Sequence, residues 1–531
     1  MRPSRPLLDG ALLFGGALIA GFAALRGINP HDEGLMLAAA DRIARGELPW
    51  RDFWWNYGPA EPYALAGLQE LFGRSLLVWR VAHVALAAVA GLMAHILVRR
   101  EAPLPYALTA WACVVAALSF PLIPNPLTPA ITLALATLLI APRRPVAAGA
   151  LAGLAVAFRL DVGLAAVASG VLAATQGRSA ARTPRRTAPQ RKGGREAGKP
   201  RADLRAGART LAAAVAVAAL AVGPVAIAAG MDRWADQTIG FALWEQSLQR
   251  LPLPLDGDGT GDLNKSFEHL FPTLSLLAFA LVLAVTAVRW ARRRWRLQGL
   301  ALSALPLSAA GALYVLARAD DFHVSLLQAT LPLVAAPLLA RERGRNPRSL
   351  VAIGALGLAL LLPLLYSIDR KAQQALRPPP LAPIDVDVAD GVRTEPRDAR
   401  ALGRLVPFVR ARVAPGRPVF IANPRHDLVR VGDPLLSVLI GRRNPTRYLV
   451  MQPGVLTRRD VQREIVGDLR RSRTSTVVRW RSPVADEREP NGAGRSSGVR
   501  VLDRFLRRSY RPLRRFGDYD VLTLRRSGPL R

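Results

Sequence analysis

The chain has 531 residues, a formal net charge of +33 and a hydrophobic fraction of 51%. Charge alone would fit a nucleic-acid binder, but half the residues are apolar and fall in long runs, which argues against that class. The single cysteine, Cys113, lies inside one such run, so neither a disulfide framework nor a thiolate metal site is expected.

Runs such as ALLFGGALIAGFAAL and VAIGALGLALLLPLLY approach or reach the roughly 20 residues needed to cross a bilayer. The predicted spans are 7–26, 76–97, 103–121, 126–141, 146–158, 162–176, 210–230, 271–289, 299–317, 323–340 and 349–368, about eleven in all. An acidic loop, with no small-residue cleavage pattern, follows the first run directly, which makes it a retained helix rather than a signal peptide. Segments 126–141, 146–158 and 162–176 are short for a full crossing, a length that fits tilted, broken or re-entrant helices.

Short cytoplasmic loops keep Lys and Arg. With Arg2 and Arg5 inside, every second connection should be basic, and VRREAP, PRRP, the 177–209 segment, RWARRRWR and ARERGRNPR all are. The alternate connections carry nearly all the acids of the membrane half. The expected product is a multi-pass cell-membrane protein with a cytoplasmic N-terminus. Its 177–209 loop would touch anionic lipid headgroups, not nucleic acid.

An odd number of crossings leaves the region beyond 368 outside. A Pro-rich linker over 369–395 leads into 396–531, where RPVFIAN, TSTVVRW and GDYDVLTLRR read as strands. RRDVQREIVGDLRRS and VRVLDRFLRRSY read as amphipathic helices, giving a small extracytoplasmic α/β domain. Its many arginines do not conflict with the topology, because the inside rule loses force for long translocated domains.

The loop after the first span, 27–75, begins HDEG and sets Asp32 and Glu33 at a helix start. One reading makes them a cap and a dipole complement, with Leu35, Ala39 and Ile43 on the lipid interface. In that reading Trp50, Trp54, Trp55 and Tyr57 form an interfacial aromatic belt. The other reading starts from company on the same side. FRLDVG brings Arg159 and Asp161 to one span end, and RADDFH brings Arg318, Asp320, Asp321 and His323 to another. Ionisable groups at membrane depth usually face a cavity or a partner. They would either converge on one outward-facing site or form local pairs, Arg159 with Asp161 and Arg318 with Asp320. DGDGTGD at 256–262 has the alternating acids of a calcium loop without its closing Glu, so it reads as a flexible external loop, and no metal is expected. His83 and His95, within one apolar span, read as packed residues.

HDEGLMLAAADRIARGELPWRDFWWNYGPAEPY, followed by a helix opening SLLVWRVAHV, resembles the membrane glycosyltransferases of the GT-C fold. These include protein O-mannosyltransferases, aminoarabinose transferases and actinobacterial mannosyl- and arabinosyltransferase relatives. FRLDVG and RADDFHVSLLQATLPL are similar to later membrane motifs of such proteins. The resemblance covers residues 1–368 and implies sugar transfer from a polyprenyl-phosphate donor to an extracytoplasmic acceptor hydroxyl of a glycan, lipid or protein, usually with inversion. It implies no separate cofactor. Asp32 would be the base, with Glu33 orienting the acceptor or tuning its neighbour. Arg159 and His323, with Arg318 behind them, would stabilise the departing phosphate, and Asp161, Asp320 and Asp321 would support them. A transporter or flippase would also use buried charges and broken helices, although no internal repeat supports it. A third reading is an inactive scaffold of the same fold.

Overall fold

The computed structural model describes residues 5–119, 124–176, 202–256, 263–292, 297–345, 349–376 and 378–525. The DGDGTGD stretch beyond Asp256 and most of the basic 177–209 segment lie outside the described residues. Each apolar run forms a helix. Helix α1 (Arg5–Gly21) precedes two shorter ones, α2 (Asp32–Ile43) and α3 (Ala60–Phe72). Then come α4 (Leu76–Arg99), α5 (Leu104–Leu118), α6 (Leu127–Ile140), α7 (Pro145–Phe158), α8 (Leu160–Thr175) and α9 (Leu204–Ala229). After α10 (Met231–Ala235) and a π-helix over Asp236–Glu245, the membrane half closes with α11 (Leu263–Ala291), α12 (Leu300–Ala317), α13 (Ser325–Arg345) and α14 (Leu350–Leu376). Five of these helices, α4, α9, α11, α12 and α14, contain stretches long and apolar enough to cross a membrane, and α1 and α5 to α8 are shorter apolar helices. The chain is a polytopic membrane protein.

Small residues set how closely the helices approach. A Cβ on Gly149 would lie 2.2 Å from the Thr210 carbonyl oxygen, and one on Gly153 would lie 2.4 Å from that of Ala214. This G-x-x-x-G face lets α7 and α9 touch backbone to backbone, as small residues do where lipid supplies no hydrophobic driving force. Helices α7 and α8 are separated by Arg159 alone, which adopts an extended conformation. Gly163 lies flush on Val156, where a Cβ would sit 2.3 Å from the backbone, so the pair forms a tight hairpin with Arg159 at its tip.

The C-terminal part starts with a two-stranded ladder, β1 (Ala382–Pro383) with β2 (Arg393–Thr394), and continues into α15 (Pro396–Arg412). Its main sheet has four strands: β3 (Val419–Ala422), β4 (Thr476–Trp480), β5 (Tyr510–Phe516) and β6 (Tyr519–Leu524), in the order β3-β4-β6-β5. β3 and β4 are parallel, and β6 is antiparallel to both β4 and β5. Helices α16 (Leu435–Ile440), α17 (Arg459–Arg471) and α18 (Val501–Ser509) complete the unit. The unit is the expected α/β one. Strand β5 is not legible in YRPLRRF, because Pro512 interrupts the run and the register shifts between Pro512 and Arg514.

The first loop corrects an expectation. Leu35 and Ala39 do not rest on a lipid interface, and Trp50, Trp54 and Trp55 do not form a belt; all five are buried in one core with Phe420 and Leu436. The C-terminal unit covers this face. Trp54 N donates to the Arg447 carbonyl at 2.9 Å, Arg42 Nη1 to that of Thr446 at 2.8 Å, and Leu435 N to that of Pro30 at 3.2 Å.

Candidate functional site

Helix α2 starts with a reciprocal cap. Asn29 Oδ1 accepts from Asp32 N at 2.7 Å, and Glu33 Oε2 accepts from Asn29 N at 3.3 Å. The two acids then part. Glu33 is fully buried and takes Nε and Nη2 of Arg80, both at 2.7 Å, while Arg80 also donates to the Ala24 and Gly27 carbonyls at 2.9 Å. Asp32 forms no ion pair among the described residues; its carboxylate meets only the Asn29 amide, at 3.4 Å.

Asp32 lines a cavity of about 1240 Å³ at one end of the bundle. Four structural units enclose it with the first loop: the tip of the α7–α8 hairpin, the α12–α13 connection, the π-helix and the C-terminal unit. Asp32, Arg159, Asp161, Arg318, Asp320 and His323 all contribute to its lining. Glu33 and Asp321 do not. Sequence spacing could not separate Glu33 from Asp32 in this respect; the helical turn between them sends neighbouring side chains in different directions.

Arg159 gives Nε and Nη2 to Asp161 at 2.8 and 3.0 Å, and its guanidinium lies 4.3 Å from the Tyr314 ring centre. The pair holds the cation over the ring with Nη1 outside it. His323 Nδ1 meets Asp320 Oδ1 at 2.5 Å, and His323 N donates to the same oxygen at 2.9 Å. That grip fixes the ring and leaves Nε2 for another partner. Burial alone would raise the Asp320 carboxyl, but the charges of His323 and Arg318 override it and hold Asp320 below the usual carboxylate range.

Arg318 is fully engaged. Nε donates to Asp320 at 2.6 Å, Nη1 to the Gln249 carbonyl at 2.8 Å, and Nη1 and Nη2 to Glu489 at 3.0 and 2.8 Å. Glu489 also takes Arg430 Nε at 2.5 Å, so the C-terminal unit is pinned to the bundle at the cavity rim. On that unit's side the lining includes Glu395, Asp398 and Asp518. Burial raises the Asp398 carboxyl, and the charges of the other two add to it. The bundle side of the cavity thus pairs Arg159 with Asp161 and Arg318 with Asp320, while the C-terminal side gathers the carboxylates Glu395, Asp398 and Asp518.

Several participants escaped the sequence reading. Arg80 did carry a signal, a charge within an apolar span. Tyr314, Glu489 and the π-helix carried none, because their roles arise from contacts distant in sequence. His83 and His95 are both buried, and His83 Nε2 lies 3.0 Å from Glu61. Among the described residues no group of three or more His, Cys, Asp or Glu side chains is arranged to hold a metal ion.

No protein-family profile matches the sequence, and no curated protein matches it. Solved structures do. The apo structure of ArnT from Cupriavidus metallidurans matches with a TM-score of 0.51 at 14% identity, over 98% of this chain and 98% of that one. The same protein bound to undecaprenyl phosphate matches with a TM-score of 0.50 at 14% identity, over 97% and 98%. The chain has the GT-C fold. A weaker likeness, with a TM-score of 0.48 and 12% identity over 89% of this chain and 69% of that one, is to the archaeal oligosaccharyltransferase AglB from Archaeoglobus fulgidus. Within this GT-C chain the cavity lies where the connections of the membrane half meet the C-terminal unit.

Proposed function

We propose that the protein is a membrane glycosyltransferase that moves a sugar from a polyprenyl-phosphate donor to an acceptor hydroxyl on the extracytoplasmic side. The observation that carries this reading is one cavity whose lining brings together Asp32, a carboxylate with no ion pair among the described residues, Arg159 and His323. The fold shared with ArnT, one of whose structures holds undecaprenyl phosphate, supports a lipid-linked donor. The alternation of basic and acidic loops supports the outward orientation.

In the reaction, the acceptor oxygen bonds to the anomeric carbon as the bond from that carbon to the phosphate oxygen breaks. Asp32 takes the acceptor proton, which becomes acidic as the new bond forms. The leaving polyprenyl phosphate keeps the electron pair, and Arg159 Nη1 and His323 Nε2 meet its growing charge. Asp161 and Asp320 orient these two side chains, and Arg318 holds the rim through Glu489. Glu33 acts through Arg80 as a structural partner of the loop rather than on the acceptor. A single working carboxylate fits inversion.

The test compares wild type and Asp32→Asn in lipid nanodiscs with polyprenyl-phosphate mannose, glucose and arabinose and a crude envelope acceptor fraction. Donor consumption is read by mass spectrometry. Consumption of a donor by wild type and a loss of about 10²–10⁴ in rate for the variant are expected. Equal rates in both proteins would remove Asp32 from the chemistry.

A further inference from the structure

The last helix and the strand that follows it carry a row of arginines without counter-ions. Residues 501–516, VLDRFLRRSYRPLRRF, hold six arginines and a single acid, Asp503. That acid is already engaged. It accepts from the backbone N of His426 at 3.2 Å and meets His426 Nδ1 at 2.7 Å. Helix α18 buries Leu502, Phe505, Leu506 and Ser509, which leaves Arg504, Arg507 and Arg508 exposed on its other side, and Arg511 is exposed where β5 begins. The side chains of these four form neither an ion pair nor a hydrogen bond among the described residues. Elsewhere in the unit Arg397, Arg410, Arg425, Arg458 and Arg481 are each paired with an aspartate.

Spacing makes the row costly. Arg504 lies three and four residues before Arg507 and Arg508, so they are neighbours on the helix surface, where like charges destabilise it. Arg470 of α17 adds a further cation beside them, its guanidinium 5.4 Å from the ring centre of Phe505. Charge on the edge strand β5 keeps that edge from pairing with another chain, but it gives no reason for the arginines of α18. An anionic partner would offset the repulsion along the whole row.

Position and composition choose the partner. The C-terminal unit is held to the membrane half through Leu435, Thr446, Arg447 and Glu489, and among the described residues no hydrogen bond or ion pair joins α18 or β5 to that half. A helix that lies on a bilayer inserts an apolar face. The apolar side of α18 is buried in the core, and Leu513, at 39%, is the one large apolar side chain exposed in 501–516. What remains is a polyanion in water. A guanidinium forks onto the oxygens of a phosphate, and a helix leading into an extended strand sets such forks in a line, as successive phosphates along a chain require. We infer that α18 and β5 form a docking strip for an anionic, phosphodiester-bearing polymer outside the cytoplasm. The strip uses the outward placement of the C-terminal unit proposed above but none of the transfer chemistry, so its failure would leave the role of Asp32 untouched.

The test measures binding of poly(glycerol phosphate) to the full chain in phosphatidylcholine nanodiscs, with dextran as the neutral polymer and phosphatidylglycerol vesicles as the anionic membrane. Amide exchange locates the contact, since the 177–209 segment is basic too. Poly(glycerol phosphate) should slow exchange in 501–516 and bind less tightly as salt is raised, and dextran should do neither. Arg504→Gln, Arg508→Gln and Arg511→Gln, combined, should weaken polymer binding about tenfold, the effect of three exposed ion pairs, without lowering the unfolding temperature. A control with Arg400→Gln, Arg417→Gln and Arg443→Gln loses the same charge from exposed positions elsewhere on the unit and should bind as wild type does. Unchanged exchange in 501–516, wild-type binding by the first triple variant, equal losses in both triple variants, or equal binding of dextran would each overturn the strip. Slowing by the vesicles and not by the polymer would overturn it too, and would make this face a membrane contact.

Discussion

Gly34, two residues after Asp32, lies so close to Leu435 that a Cβ on it would sit 2.2 Å from the Leu435 backbone nitrogen and 2.7 Å from its Cα. The helix that begins with Asp32 is thus seated directly on backbone of the C-terminal unit, and no rotamer change at Leu435 can make room for a larger residue. Gly34→Ala should therefore displace α2. The expected cost is about 1–3 kcal/mol of stability, the usual range for overpacking, with a fall in transfer rate at unchanged affinity for the lipid phosphate. Thermal unfolding in nanodiscs and a rate measurement on the same preparation check it; an alanine variant with wild-type rate and stability would mean that the contact relaxes freely.

The two acids of HDEG should behave as opposites. Glu33→Gln leaves the Arg80 charge buried without its counter-ion, and breaking a buried pair in this way costs on the order of 3–5 kcal/mol. Asp32→Asn touches no ion pair and should leave unfolding within about 0.5 kcal/mol of wild type, as substitutions away from such features do, while abolishing most turnover. Chemical unfolding of both variants separates the roles. Equal destabilisation by the two would make Asp32 a structural residue as well.

This contrast shows what the sequence could carry. The apolar runs located the bundle helices among the described residues because hydrophobicity over a whole segment is a local property. Asp32, Arg159 and His323 could be singled out because a charge at a span end is costly anywhere in a chain. The division between Asp32 and Glu33 was hidden, since it depends on Arg80, 47 residues away, reaching one carboxylate and not the other. The same holds for Trp50 and Trp55. Aromatic residues near a membrane end suit an interface, and only the C-terminal unit folding back over them turns them into core. Arg318 looked like a phosphate ligand until Glu489, 171 residues on, took its donors.

Glu489 is the joint between the two halves, holding Arg318 on one side and Arg430 on the other. Burial would raise its carboxyl, yet the hydrogen bonds and charge of Arg318 and the hydrogen bond from Arg430 keep it below the ordinary value. Glu489→Gln should loosen the rim. Faster amide exchange is expected in 318–324 and in 484–495, with the spans themselves unchanged. Transfer should fall by less than it does for Asp32→Asn, because the reacting groups remain. Unaltered exchange in both segments would show that the backbone contacts at Pro30, Arg447 and Thr446 suffice to hold the unit in place.

Asp433 offers a pH test that involves no residue of the proposed chemistry. It is buried beneath α16, accepting from Leu436 N at 3.0 Å and from the Tyr519 hydroxyl at 2.9 Å. Burial without a counter-ion pushes its carboxyl up to about 7, against the pull of those two hydrogen bonds. In the unfolded chain it would titrate near the ordinary value of about 3.9. A carboxyl raised in the folded state gives a contribution to stability that is fully present below about pH 4 and is lost as pH rises through about 7. Asp433→Asn removes the charge, keeps Oδ1 as acceptor for Leu436 N, and places Nδ2 where it donates to the Tyr519 hydroxyl, which accepts as readily as it donates. The variant should be more stable than wild type at pH 8, and the advantage should shrink steadily as pH is lowered from 7 toward 4. Thermal unfolding of both proteins across that range decides it. Parallel pH profiles would mean that Asp433 titrates at its ordinary value in the folded protein, and that water reaches it beneath α16.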